Sequence, residues 1–397
     1  MKRDISRREF VTIVAGAGAA LVSARGSADP LSQETLVPKR PFGRSGMKIS
    51  KLCLGGFSVV GKDGLEVMDE ALRQGVDCWE ITGFTGKVYG EYFKKHPGVR
   101  EKVFLSAKVK STDPAVMQQQ LDKVLLDNET SVVDFLAIHV LDDVSVLTQD
   151  VRTWVEKVKK EKKIRLFGFC THKNMDNCLR GAAGLGWIDG IQTFYNYRMR
   201  NVKSMEDALR ECHAKGIGIF TVKSMGLGVR HESELNRLSP RKKELDALLA
   251  AHSLSFELAK LKAIWSNPNV TSICSLMPGA AIVRSNAAAA RDERHLDSKI
   301  AGLLADYADR TGRYFCRRCG LCETANADRI PIFNIMEMLM YLNAYGWREF
   351  ALEGYGSIPA EIRGKISGSD YSASEKVCPQ KMPIAELMKE AEKELSR

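Results

Sequence analysis

A chain of 397 residues with 44% hydrophobic content is long enough to bury a large core, as one big domain plus a small one. The formal net charge of +10 falls to +7 without residues 1–28, which hold five basic and two acidic residues. No basic stripe interleaved with aromatics accompanies this mild excess, which argues for a solvated surface and against nucleic-acid binding.

The N-terminus reads Ser6-Arg7-Arg8-Glu9-Phe10, followed by an apolar, Ala- and Gly-rich run from Val11 to Val22. Small-residue cleavage sites follow at Val22-Ser23-Ala24 or Gly26-Ser27-Ala28, with Arg25 near the cut. Residues 1–28 thus resemble a twin-arginine export signal. Spanning a bilayer takes about twenty apolar residues, so no stable membrane span is expected once the signal is removed. Twin-arginine export carries proteins already folded around their cofactors, and the expected location is the periplasm or the cell exterior.

From residue 50 onward, short β-branched or apolar runs alternate with longer amphipathic ones. Eight strands are predicted, at 51–57, 76–82, 103–109, 132–139, 164–171, 190–196, 217–223 and 270–276. Helical periods lie between them; Pro114 to Leu126 sets Val116, Leu121, Val124 and Leu125 on one face, and Val151 to Lys159 does so with Trp154 and Val158. Eight β-α units with continuous apolar strands predict an α/β fold, a (β/α)8 TIM barrel. No G-x-G-x-x-G follows the first strand, which lowers the open doubly wound alternative.

Phe42-Gly43-Arg44-Ser45-Gly46-Met47-Lys48-Ile49-Ser50-Lys51-Leu52 resembles the opening β-hairpin and first strand of the aldo-keto reductases. Lys102 to Lys108 (KVFLSAK), Asp134 to His139 (DFLAIH), Gly168 to Asn174 (GFCTHKN) and Gln192 to Asn196 (QTFYN) follow in the family's order and spacing. The resemblance covers residues 37–300 and implies the barrel, leaving 301–397 as a second domain. One branch of the family carries ferredoxin-like tails, often behind a twin-arginine signal.

The resemblance also implies hydride transfer from a nicotinamide to a carbonyl at the C-terminal mouth of the barrel, using a tyrosine acid, a lysine–aspartate pair and an orienting histidine. Lys108 stands for the lysine and His139 for the histidine. The Asp-Thr-Ala-x-x-Tyr-Gly motif after the second strand becomes Glu80-Ile81-Thr82-Gly83-Phe84-Thr85-Gly86. Glu80 keeps the charge on a longer stem. Thr85 replaces the tyrosine, and an aliphatic hydroxyl is far too weak an acid for that role. Tyr89 lies four residues on, at a helix start whose Tyr92 and Phe93 are expected to pack inward; Glu80 or His139 are the other candidate acids.

For a nucleotide, NAD(P)H by family expectation, Gln192 matches the residue that holds the nicotinamide carboxamide. Cys170, Thr171 and His172 stand where the family has a serine and its neighbours, and Lys223 and Ser224 where a loop approaches the pyrophosphate. At the adenosine end Asn286 fits an adenine contact. The arginine that grips a 2′-phosphate is replaced around Pro278, with Arg284 as a shifted substitute. These departures leave open whether the loop binds a nucleotide at all.

The stretch from Leu227 to Ser253, rich in Arg and Lys, reads either as a solvated helical face or as a cover over the barrel mouth. The Met- and aromatic-rich run from Ile330 to Phe350 spaces like helix core packed over the site formed by the last cysteines.

Those cysteines are Cys316, Cys319 and Cys322, at C-x2-C-x2-C spacing, and Cys378, followed by Pro379. In two-cluster ferredoxins the run C-x2-C-x2-C-x3-C-P occurs twice, and the fourth cysteine of each run ligates the other cluster. Here Asn326-Ala327 takes the fourth place of the first run, and counting back from Cys378 gives Ser374, Tyr371 and Gly368. One complete set of four survives, predicting a single [4Fe-4S] cluster in a helical ferredoxin-like domain. A zinc site on the same thiolates and a disulfide framework are the alternatives. The other six cysteines, Cys53, Cys78, Cys170, Cys178, Cys212 and Cys274, sit in apolar strand or helix runs and read as small buried hydrophobes.

Together these features predict an exported oxidoreductase of the aldo-keto reductase type in which the cluster exchanges single electrons with a partner redox protein. The substrate would be a small-molecule carbonyl or other redox compound. The competing expectation is a barrel that has lost turnover and serves as an electron-transfer or structural subunit.

Overall fold

The computed structural model describes residues 36–396 except Phe84. The signal expected over residues 1–28 lies outside the described residues. By internal contacts the described chain forms two units, one of residues 36–224 with 257–296 and one of 225–256 with 297–396.

In the first unit a hairpin comes first, β1 (Lys39–Pro41) paired antiparallel with β2 (Lys48–Ser50). Eight strands follow: β3 (Leu52–Leu54), β4 (Cys78–Glu80), β5 (Phe104–Val109), β6 (Val133–Ile138), β7 (Ile164–Thr171), β8 (Gly190–Phe194), β9 (Gly218–Val222) and β10 (Ser272–Ser275). They close in the order β10-β3-β4-β5-β6-β7-β8-β9, each neighbouring pair parallel. Every predicted strand is present. All six residues of β6 are buried, as expected where a parallel sheet is covered on one face by helices and on the other by the barrel core.

The helices bury one stripe each. Gln149–Lys160, capped by Thr148, buries Val151, Trp154, Val155 and Val158. Pro114–Asp127, capped by the Asp113 side chain, turns its stripe through Met117 and Leu121. Val116, expected on that face, lies at its edge and is half-buried.

The turn between β1 and β2 carries Phe42, fully buried among Phe104, Phe135 and Phe220 with ring centroids 5.3, 5.6 and 4.9 Å away. Its ring fills the space that side chains at two glycines would take: a Cβ on Gly190 would meet it at 2.4 Å and one on Gly218 at 2.5 Å. The N-terminal end of the barrel is therefore plugged by an aromatic from outside the sheet. The C-terminal end carries the candidate site.

The second unit is helical. The stretch read from sequence as a solvated face or a cover over the barrel mouth forms helices Glu232–Leu238 and Lys242–Ala251, which belong to this unit. Tyr307, on helix Ser298–Arg310, donates to Glu232 and Asn236 at 2.8 and 2.9 Å, and Lys299 pairs with Glu244 at 3.2 Å. The domain boundary expected at residue 300 thus falls at 296, and the second unit also takes in residues 225–256.

Within the rest of this unit, the stretch holding helices Leu321–Ala325 and Ile332–Asn343 is matched at an offset of about 52 residues by that holding helices Ser372–Val377 and Ile384–Leu395. Helices Ile332–Asn343 and Ile384–Leu395 are both 12 residues long and enter from Pro331 and Pro383, with φ of −77° at each. The Glu323 carboxylate accepts from the Phe333 amide at 2.8 Å, and that of Glu375 from the Ala385 amide at 2.9 Å. Arg329 and Lys381 both take left-handed backbone, φ 53° and 49°, their amides donating to the carbonyls of Asn326 and Cys378. This repeat sets Asn326 opposite Cys378, and Gly368, Tyr371 and Ser374 opposite Cys316, Cys319 and Cys322.

Candidate functional sites

At the C-terminal end of the barrel strands, Glu80 ends β4 and Lys108 stands one residue before the end of β5. Both point inward. Lys108 Nζ lies 2.6 Å from Glu80 Oε1, and the carboxylate also accepts from Gln192 Nε2 at 2.7 Å and from the Gly56 amide at 3.1 Å. The longer stem of glutamate lets one carboxylate reach three donors. Burial works against its charge, but Lys108, Gln192 and the Gly56 amide outweigh that and hold the carboxyl well below its ordinary range. Burial likewise opposes the Lys108 ammonium, but Glu80 raises its pKa, so it stays protonated.

His139 follows β6, with its ring Nδ1 buried and without a hydrogen-bond partner. Burial and then the Lys108 charge push its pKa down to about 4, so the imidazole is neutral near pH 7. Its ring meets that of His172 edge to face at 6.4 Å, and His172 Nε2 lies 3.4 Å from the buried Cys170 Sγ. Thr171 is buried and donates to the Lys173 carbonyl at 3.0 Å.

The place of the expected tyrosine is taken by Thr85. Thr85 is buried and donates to the Thr82 carbonyl at 2.9 Å. Tyr89 lies in helix Val88–Lys95, fully buried beside Trp79 and Phe93, its hydroxyl donating to the Glu80 carbonyl at 3.0 Å. The phenol of Tyr89 is thus spent on the backbone, and Tyr92 and Phe93 are buried as expected.

The nucleotide positions divide. Gln192 fits: its Oε1 is a buried acceptor without a partner, as a carboxamide NH2 would require. Lys223 follows β9 in left-handed backbone, φ 54°, and Ser224 is buried with its hydroxyl 3.3 Å from that of Thr221. At the adenosine end Arg284 is drawn back to Glu70 at 3.0 Å, and Asn286 donates to Ser275 at 3.3 Å. Arg284 therefore does not fit a free phosphate grip. The partners of these two groups, Gln192 for Glu80 and Glu70 for Arg284, were beyond sequence reasoning, since they are set by barrel closure.

In the second unit, Cys316, Cys319, Cys322 and Cys378 line one concavity of about 410 Å³ that includes open solvent. Gly320, φ 79°, opens helix Leu321–Ala325, and Cys378 caps helix Ser372–Val377. Ile332, Phe333, Met336, Met382 and Ile384 form an apolar wall. Burial pushes the Cys316 and Cys322 thiols up to about 12, so only a strongly cationic centre would hold them as thiolates.

Among the described residues, no group of three or more His, Cys, Asp or Glu gathers as a site for one metal ion. A tetrahedral zinc, with Zn–S bonds of about 2.3 Å, would draw its sulfurs to about 3.8 Å from one another. A cubane takes one thiolate at each of its four irons, the number that lines this concavity. All ten cysteines are free, and the six outside this site are buried. The positions opposite the ligand set are filled by hydrogen bonds: Asn326 to Ser369 Oγ at 3.2 Å, Tyr371 to the Ile366 carbonyl at 2.6 Å, and Ser374 to the Cys322 carbonyl at 2.9 Å.

Among solved structures, the chain resembles the aldo-keto reductase AKR11C1 of Bacillus halodurans in its holo form, with a TM-score of 0.55 at 16% identity over 68% of this chain and 96% of that one. At that identity the likeness establishes the fold. A stretch of 81 residues is 34% identical to the uncharacterized oxidoreductase YrpG of Bacillus subtilis, covering 17% of this chain and a quarter (25%) of that relative's length. No helix among the described residues is long and apolar enough to cross a membrane. The sequence model described as the aldo/keto reductase family matches residues 51–276, from the start of β3 to just past β10, and this chain belongs to that family.

Proposed function

We propose that this protein is an exported iron-sulfur oxidoreductase of the aldo-keto reductase type. Its barrel handles a small carbonyl or related redox substrate with NAD(P)H, and Cys316, Cys319, Cys322 and Cys378 hold one [4Fe-4S] cluster that exchanges single electrons with a partner protein. The observation that carries the reading is the shared cavity of those four cysteines inside a repeat whose other set of four is replaced by a glycine and three hydrogen-bonded side chains.

When bound, the cluster supplies one-electron chemistry. The barrel residues have separate tasks. Lys108, kept charged by Glu80, offers a fixed cation to oxygen charge developing at the mouth. Neutral His139 supplies a ring nitrogen free to orient a substrate oxygen. Gln192, held by Glu80 through its amide nitrogen, presents its carbonyl oxygen to an N–H donor. The Tyr89 phenol, spent on the Glu80 backbone carbonyl, and Thr85 in the place of the tyrosine favour, as second reading, an electron-transfer subunit whose barrel does not turn over.

The test is anaerobic purification, assay of iron and sulfide, then titration with NADPH and NADH followed by nicotinamide fluorescence and visible absorbance. About four irons with saturable nucleotide binding and bleaching of the cluster is the expected result. Iron without nucleotide binding leaves the second reading. Absence of iron and acid-labile sulfide overturns both.

A further inference from the structure

We infer that Arg318, through its ion pair with Glu337, sets the reduction potential of the cluster; this rests on the iron-sulfur reading above. Arg318 lies between Cys316 and Cys319 and lines the same cavity. It takes left-handed backbone, φ 64°, a conformation a long side chain rarely adopts. That backbone lets its amide bond the Cys316 sulfur. Its side chain turns inward and is 3% exposed, with Nη1 2.9 Å from Glu337 Oε1. The guanidinium sits 5.0 Å over the Phe333 ring, and Nη2 lies 3.9 Å from Met340 Sδ.

Stability does not account for this arrangement. Taking an arginine and a glutamate out of water costs several kcal/mol, and such a pair is often no better than apolar packing of similar volume. A strained backbone adds to the cost. A four-thiolate cubane is anionic and becomes more so by one electron on reduction, with no bond formed or broken. A buried guanidinium beside it favours the reduced form, and the nearby carboxylate partly cancels that effect. Arg318 is a positioning residue here: it acts through the electrostatics and backbone of the ligand loop.

The experiment is a dithionite titration of the holoprotein with redox mediators, read by EPR of the reduced cluster. At a fixed potential, Arg318→Gln is expected to lower the reduced-to-oxidised ratio about tenfold, a shift of about 59 mV to lower potential for a one-electron couple. Glu337→Gln is expected to raise it, and Arg318→Lys to stay near the parent. If Arg318→Gln fails to assemble, Glu337→Gln decides alone: a raised potential supports the inference, and an unchanged or lowered one overturns it. Equal potentials in all variants overturn it while leaving the cluster in place. A parent protein without iron and sulfide removes the reading it rests on.

Discussion

Asn326 and Cys378 occupy the same place in two halves of one repeat, and only one of them carries a thiol. The Asn326 side chain is buried; it donates to Ser369 and to the Asp370 carbonyl and accepts from the Ile330 amide at 3.0 Å. Cys378 faces the cavity with the other three cysteines. The two positions therefore answer differently to substitution. Cys378→Ala is expected to lose most of the iron and the visible absorbance. Asn326→Ala should keep both and lose about 1–3 kcal/mol of stability through unpaired buried groups. Iron assay and chemical denaturation of the two variants check this.

Removing Lys108 leaves the Glu80 carboxylate buried without its charged partner. Lys108→Met is expected to destabilise the barrel by about 3–5 kcal/mol, and adding Glu80→Gln should recover part of that loss. Denaturation of the single and double variants separates a broken charge pair from simple loss of packing.

Folding stability should fall toward acid. His139 has its pKa lowered from 6.5 to about 4 by burial and by Lys108. Between those values the unfolded chain takes up a proton that the folded chain refuses. The contribution of His139 is complete above about pH 6.5 and is lost as pH drops toward 4, with a slope of about 1.4 kcal/mol per pH unit at most. Below its ordinary value of 4.5 the depressed Glu80 carboxyl adds a loss of the same sign. Denaturation midpoints measured from pH 8 to 4 should show the fall, and His139→Gln should flatten the upper part of it.

Phe42→Ala should cost about 3–5 kcal/mol, because its ring fills space between strands that cannot close without it. Thermal unfolding reads this directly. Gly218→Ala is expected to be destabilising for the complementary reason, its new Cβ standing 2.5 Å from the Phe42 ring.

Features written in local pattern were readable from the chain alone. All eight strands were, because parallel barrel strands are buried on both faces and so appear as largely apolar runs, such as the one from Phe135 to Ile138 in β6. The four cavity cysteines were legible through spacing. Features fixed by closure were not. Gln192 and Glu80 lie 112 residues apart and meet only when β4 and β8 join the same barrel. The charge pattern of residues 227–253 announced helices but not which core they would pack on. Phe42 looked like one aromatic in a turn until the glycines of β8 and β9 showed the space left for it. Tyr89 was marked by its position after Thr85 as a stand-in acid, and only the bond to the Glu80 carbonyl shows where its hydroxyl goes.

With Phe42 seated in its floor, the barrel is a vessel with one door. The Phe42 ring closes the side of the barrel away from Glu80, Lys108 and His139, so solvent approaches those three groups only from the C-terminal ends of the strands.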